Sequence, residues 1–293
     1  MFDRYVVVDW SARNAPATGA DSIWIADLAL DGPAVLSNPA TRAGALRELI
    51  DTIEDSAHQR LLIGVDGSLG YPVGSAALFG LVGVPWQAMW QMVAELSSDD
   101  ARNRNNRFEV ASELNRRANS GPGPFWGCPP RHVGEHLAAT KPPGFEVDEF
   151  RHAERRLRAQ GLHPASCWQL LGAGSVGGQT LTLLPIIAEL ADRSADRVDV
   201  WPFADGLTVP NVDPGGVVVV EVWPTLFVDP DRLDRTLVKD AAQVRSVATA
   251  LRDADRCGDL EAWFRPELSG PEVADVVSEE GWVLGVVGEA HVR

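Results

Sequence analysis

Hydrophobic and polar residues alternate in some stretches of this chain and run unbroken in others. The unbroken stretches Tyr5-Val6-Val7-Val8-Asp9, Leu61-Leu62-Ile63-Gly64-Val65-Asp66 and Val217-Val218-Val219-Val220-Glu221-Val222-Trp223 read as strands buried on both faces. Each carries a single acid at or near its end. Ser22-Ile23-Trp24-Ile25-Ala26-Asp27-Leu28 alternates and reads as a second strand. Asp31-Gly32 is a hairpin signal leading to a short third strand at Ala34-Val35-Leu36. Thr41 caps a helix whose apolar positions Ala45, Leu46, Leu49, Ile50 and Ile53 recur at helical spacing. The resulting order is three meandering strands, a crossover helix, and a strand returning beside the first.

The middle of the chain has a different texture. Helices are predicted over 85–96, 107–119, about 147–160 and 179–190. Gly/Pro-rich stretches, Gly121-Pro122-Gly123-Pro124 and Pro142-Pro143-Gly144, bracket an irregular region. We read 99–197 as a mainly helical insertion in a discontinuous core formed by 1–98 and 198–293. The core resumes with strands at 197–203 and 216–223 and a helix at 238–253, with Asp240 in its first turn. No repeats or low-complexity tracts occur.

At 293 residues, 45% hydrophobic and 23% charged, the composition is that of a globular protein with a sizeable core. No apolar stretch reaches the roughly 18 residues of a membrane span, and Pro185 and Glu189 interrupt the longest. The start Met1-Phe2-Asp3-Arg4 lacks the features of a signal peptide, so a cytoplasmic protein with no membrane partner is expected. The net charge of −15 argues against indiscriminate nucleic-acid binding. Its distribution is uneven: residues 101–158 hold eleven Lys/Arg against seven acids, a local +4 on a body of −19. A basic segment on an acidic body suits an anionic ligand, and equally a solvated helical surface laced with ion pairs. Cys128, Cys167 and Cys257 are scattered and read as reduced thiols. His132 and His136 lack the further ligands that a zinc site needs.

If the first and fourth strands are parallel neighbours, Asp9 and Asp66 lie at one sheet edge, about 5 Å apart between strands. Such carboxylates repel unless they share a proton or a metal ion. Each acid alone also has a simpler explanation: Asp9 as a turn cap, Asp240 as a favourable charge at a helix start, and Glu221 as the partner of a buried arginine.

Strand order and acid placement together resemble a ribonuclease H-like fold. The pieces Val8-Asp9-Trp10-Ser11, Gly64-Val65-Asp66-Gly67, Val220-Glu221-Val222-Trp223-Pro224 and Lys239-Asp240-Ala241-Ala242 resemble the bacterial "domain of unknown function 429" family of that superfamily. Cys167–Gly177 and Val200-Trp201-Pro202-Phe203 look like signatures of a subgroup. The resemblance implies an α/β fold with a mixed five-stranded sheet and flanking helices. It further implies a carboxylate cluster of Asp9, Asp66, Glu221 and Asp240 holding Mg²⁺ or Mn²⁺, and hydrolysis of phosphodiesters by a two-metal mechanism. The substrate would be nucleic acid or a phosphorylated small molecule. Arg104 and Arg107 would neutralise phosphate, and Trp10 and Ser11 would line the substrate site, with Trp10 and Trp126 as platforms for a base. Trp24, Trp201, Trp223 and Trp263 fit core positions. No acid on the first helix clearly faces the site, with Glu48 and Asp51 both fitting a solvated face.

Other readings compete. Gly172-Ala173-Gly174-Ser175-Val176-Gly177 fits the GxGxxG fingerprint of a nucleotide cofactor, but the residues before it make a poor strand. An actin-like or kinase-like ATP site would use Asp9 and Asp66-Gly67, yet lacks the glycine-and-threonine phosphate turn. A non-catalytic binding protein is the third alternative.

Overall fold

The computed structural model describes all residues except 119–120, 145–146, 173, 195 and 289–293. The end of the predicted helix 107–119 at Asn119, one of the counted acids, Glu146, and Ala173 of the glycine-rich motif lie outside the described residues.

Six strands form one mixed sheet: β1 (Arg4–Asp9), β2 (Trp24–Ala29), β3 (Val35–Ser37), β4 (Leu61–Asp66), β5 (Val198–Val200) and β6 (Val217–Glu221), in the order β3-β2-β1-β4-β6-β5. The expectation of five strands is therefore corrected to six. The short β5 adds an edge by pairing parallel to β6, because Val198 and Val200 are buried on one side while Asp199 faces solvent. The β1–β2–β3 meander is antiparallel, whereas β1, β4 and β6 run parallel. These three are unbroken valine, leucine and isoleucine runs because helices cover both of their faces.

Nine helices stand among the described residues: α1 (Arg42–Asp55), α2 (Ser75–Leu78), α3 (Pro85–Leu96), α4 (Arg107–Ala118), α5 (His152–Ala159), α6 (Gly177–Arg193), α7 (Lys239–Cys257), α8 (Leu260–Trp263) and α9 (Gly270–Asp275), the last running on into a π-turn over Val276–Glu280. Thr41 caps α1 as its sequence suggests, its hydroxyl accepting from the Gly44 N–H. One sheet face, with Val6, Val8, Ile63, Val65 and Val219, packs on α1 and α6 through Leu46, Leu49, Ile53, Leu184 and Ile187. The other, with Tyr5, Val7, Leu62, Val218 and Val220, packs on α7 through Val244, Val247, Ala248 and Leu251.

Residues of the 99–197 segment join the first of these cores directly. Trp168 stacks on Tyr71 with centroids 4.9 Å apart, and Phe125 meets Trp168 edge-on at 4.9 Å. α5 starts at His152 rather than near 147, because Arg151 just before it is wholly buried and anchored by Glu154. No helix among the described residues is long and apolar enough to cross a membrane.

Candidate functional site: an acid pair at the head of the sheet

Parallel pairing of β1 with β4 sets Asp9 directly opposite Asp66. Cross-strand partners share a face, and these two acids continue the face of Val7 and Leu62, toward α7. Asp240 in the first turn of α7 stands near enough that its charge acts on Asp9. Burial pushes the Asp9 carboxyl up to about 8; the charges of Asp66, Asp240 and Asp21 add to this, and Lys239 opposes it. Burial, followed by the charge of Glu221, raises Asp66 to about 7. Asp21 was not singled out from the sequence. It ends the polar loop after β1 in a left-handed conformation (φ 54°) and donates its N–H to Asp240 Oδ2 at 2.7 Å. Loop acids carry no periodic signal, so the sequence offered no means of placing it here.

Glu221 differs from the other three acids. It pairs with Val65, one residue before Asp66, so its side chain leaves the sheet on the face opposite to the Asp9–Asp66 pair. There it is buried and bonded to Arg151, with Nη2 donating to Oε1 at 2.6 Å and Nη1 to Oε2 at 2.8 Å; the Leu69 N–H also donates to Oε2 at 3.1 Å. Burial alone would lower the Arg151 pKa, but the charges of Glu154 and Glu221 outweigh it and hold the guanidinium firmly protonated. Of the two roles open to Glu221, metal ligand or partner of a buried arginine, the structure shows the second: it already has a fixed cation in Arg151. Among the described residues no three His, Cys, Asp or Glu side chains are gathered as a ready metal-binding group.

The acids open into a cleft of about 660 Å³ that Asp9, Asp66, Glu221, Lys239 and Asp240 share with residues of the 99–197 segment. Ser11 and Arg107 also line it. Arg104 does not: it is 72% exposed and paired with Asp100 at 2.7 Å, which removes it from the expected phosphate contacts. Trp10 is 1% exposed and donates its indole N–H to Thr182 Oγ1 at 3.1 Å. Trp10 is among the residues lining the cleft, as expected, but its ring is packed into the core and presents no open stacking face. Trp126 is partly buried against the same core. Gln179, also missed in the sequence, fixes the chain after Asp9 by donating to the Trp10 carbonyl at 2.7 Å.

Gly172 and Gly174 line the cleft with φ of +126° and +69°, conformations that favour glycine. Gly177 opens α6 so close to the preceding chain that a Cβ would lie 2.4 Å from the Cys167 carbonyl and 2.7 Å from that of Gln169. Among the described residues no strand precedes this loop; Gln169 forms an isolated bridge to Trp126. The dinucleotide-binding reading of Gly172, Gly174 and Gly177 lacks the strand it requires, and the glycines serve close packing and turn geometry.

The cysteines match the expectation of free thiols, with Cys128 and Cys167 buried and Cys257 exposed. His132 lies 3.3 Å from Glu109, in a surface hollow that also includes His136. No protein-family model matches the chain, nor does any curated protein or any solved structure.

Proposed function

We propose that the protein is a divalent-metal-dependent phosphoester hydrolase on a ribonuclease H-like core, with Asp9 and Asp66 as its central ligands. The observation that supports this reading is the in-register placement of the two aspartates on adjacent parallel strands, opening into a cleft. Asp240 is the third member of the set.

The donor chemistry fits the metal. Hard divalent cations take oxygen ligands, and Asp9, Asp66 and Asp240 offer carboxylate oxygens at the cleft. None of Asp9, Asp66 and Asp240 has an ion-pair partner within 4 Å among the described residues. A bound Mg²⁺ or Mn²⁺ would supply compensating charge and Lewis acidity toward a phosphate oxygen. Within the chain itself, Asp9 and Asp66 repel each other, and without a cation the pair retains a proton near neutral pH. Asp240 is oriented by the Asp21 N–H. Glu221 and Arg151 contribute position: through Leu69 they fix the segment that leaves Asp66.

The test is a calorimetric titration of Mn²⁺ into wild type, Asp9→Asn and Asp66→Asn, with hydrolysis of labelled DNA, RNA and phosphorylated small molecules followed in parallel. Wild type should bind Mn²⁺, each variant should lose about tenfold or more in affinity, and hydrolysis should depend on metal. Absence of Mn²⁺ uptake by the wild type would overturn the reading.

A further inference from the structure

The same cleft contains a cation with no counter-ion within 4 Å among the described residues. Arg107, at the start of α4, lines it. Its Nη1 donates to Asn105 Oδ1 at 2.9 Å and its guanidinium lies 4.3 Å over the Phe108 ring. The Nε is wholly buried without an acceptor. Among the described residues Nη2 donates to nothing and no carboxylate comes within 4 Å. Burial, and then the charge of Arg42, lower its pKa to about 10, a cost normally offset by a bound anion.

Against this arginine stands the start of α6. A Cβ placed on Gly178 would lie 3.3 Å from Arg107 Nε, so helix and guanidinium are in contact. No side chain caps this 17-residue helix. The Gly177 N–H goes to the Gln169 carbonyl, while Gly178 and Gln179, both lining the cleft, keep first-turn N–H groups with no helical acceptor. A helix start beside an unpaired guanidinium is chemistry suited to a phosphate.

We infer that Arg107 and the first turn of α6 form an anion subsite holding the phosphate of a small phosphorylated substrate in the cleft lined by Asp9 and Asp66. This inference deepens the hydrolase reading and rests on it for the site of reaction. Two observations favour a small molecule over a polynucleotide. The cleft, at about 660 Å³, lies within the range of about 300–1,000 Å³ typical of small-ligand sites. The basic character of 101–158 is also largely neutralised within the fold: Arg104 pairs with Asp100, Arg116 and Arg117 with Glu113, Arg155 with Asp148, and Arg151 is buried with Glu154 and Glu221. These pairs take five of the eleven cations out of reach of a phosphate backbone.

The test titrates inorganic phosphate into the full chain in the presence of a chelator, using wild type, Arg107→Gln, Ser175→Glu and Asp9→Asn. Wild type should bind one phosphate per chain. Arg107→Gln should weaken this about tenfold or more. Ser175→Glu, which adds a negative charge at the half-buried cleft wall, should do the same and provides a second route if Arg107→Gln does not fold. Asp9→Asn should still bind phosphate. No phosphate binding by wild type, or wild-type affinity in both anion-subsite variants, overturns the subsite. A DNA oligonucleotide that binds more tightly than a nucleoside monophosphate, with a steep salt dependence, overturns the small-molecule assignment. Failure here with Mn²⁺ binding intact leaves the acid-site reading standing, whereas phosphate binding without Mn²⁺ uptake removes the acid-site reading alone.

Discussion

Replacing Asp9 with asparagine should make the metal-free protein more stable, by an amount that grows with pH. In the unfolded chain Asp9 titrates near 3.8, and in the fold burial and the charges of Asp66, Asp240 and Asp21 raise it to about 8. Below pH 4 the group is protonated in both states and contributes nothing. Between about 4 and 8 the folded state holds a proton that the unfolded state has released, so stability falls as pH rises. Above 8 the full penalty is present. A shift of this size corresponds to at most roughly 6 kcal/mol, at about 1.4 kcal/mol per pH unit. The interaction between two carboxylates about 5 Å apart at an effective dielectric of about 20 is roughly 3 kcal/mol. Because the cleft admits solvent, the lower figure is the better guide.

Asparagine is nearly isosteric with the protonated acid, so Asp9→Asn should match wild type at pH 4 and exceed it by about 3 kcal/mol at pH 8.5, a melting-point difference of roughly 5 °C for a chain of this size. The assay is thermal unfolding followed by circular dichroism in EDTA across that range. Saturating Mn²⁺ should reverse the order, because the ion binds the native carboxylates and stabilises wild type by mass action. Parallel pH curves for the two proteins would refute the reasoning, as would a gain already present at pH 4.

Two further predictions concern the supports of the site. Arg151→Met leaves Glu154 and Glu221 buried without their cation, and should cost about 3–5 kcal/mol in chemical denaturation; a loss below about 1 kcal/mol would contradict the buried-pair description. Gly177→Ala forces a Cβ against the Cys167 and Gln169 carbonyls and should destabilise by about 1–3 kcal/mol, while fluorescence titration with NADH shows no binding by wild type or variant. Micromolar NADH binding by wild type would instead restore the nucleotide role of this loop.

The Asp9–Asp66 pairing was legible because two features agree. Unbroken apolar runs mark central parallel strands, and a meander followed by a crossover helix brings the fourth strand beside the first. The register then places both acids at the strand ends, as observed. The direction of Glu221 was not legible for the same reason that its strand was. In Val217-Val218-Val219-Val220-Glu221 both faces are apolar and every residue is buried, so no alternation shows which way the fifth side chain points. The helix predicted at about 147–160 misled in the opposite sense: its charges suggested a solvated face, yet Arg151 is the cation that the buried acid needs. Arg104 and Arg107 could not be told apart from spacing, because Arg104 is captured by Asp100 just before α4 whereas Arg107 sits one turn further in, against Phe108 and α6.

That misplaced acid still bears on the site. Glu221 is close enough to raise Asp66, although its side chain leaves the opposite face of the sheet. Its Oε2 accepts from the Leu69 N–H, and the Leu69 carbonyl accepts from the Trp90 indole N–H at 2.8 Å. The three residues after Asp66 are therefore tied to β6, to α3 and, through Arg151, to the start of α5. A buried ion pair need not add net stability, but this one fixes the chain on which Asp66 is carried and places a permanent charge pair beneath it. The acid cluster thus divides into two parts with separate roles: Asp9, Asp66 and Asp240, which have no ion-pair partner within 4 Å among the described residues, and Glu221, which also lines the cleft but with Arg151 holds the Asp66 backbone in place.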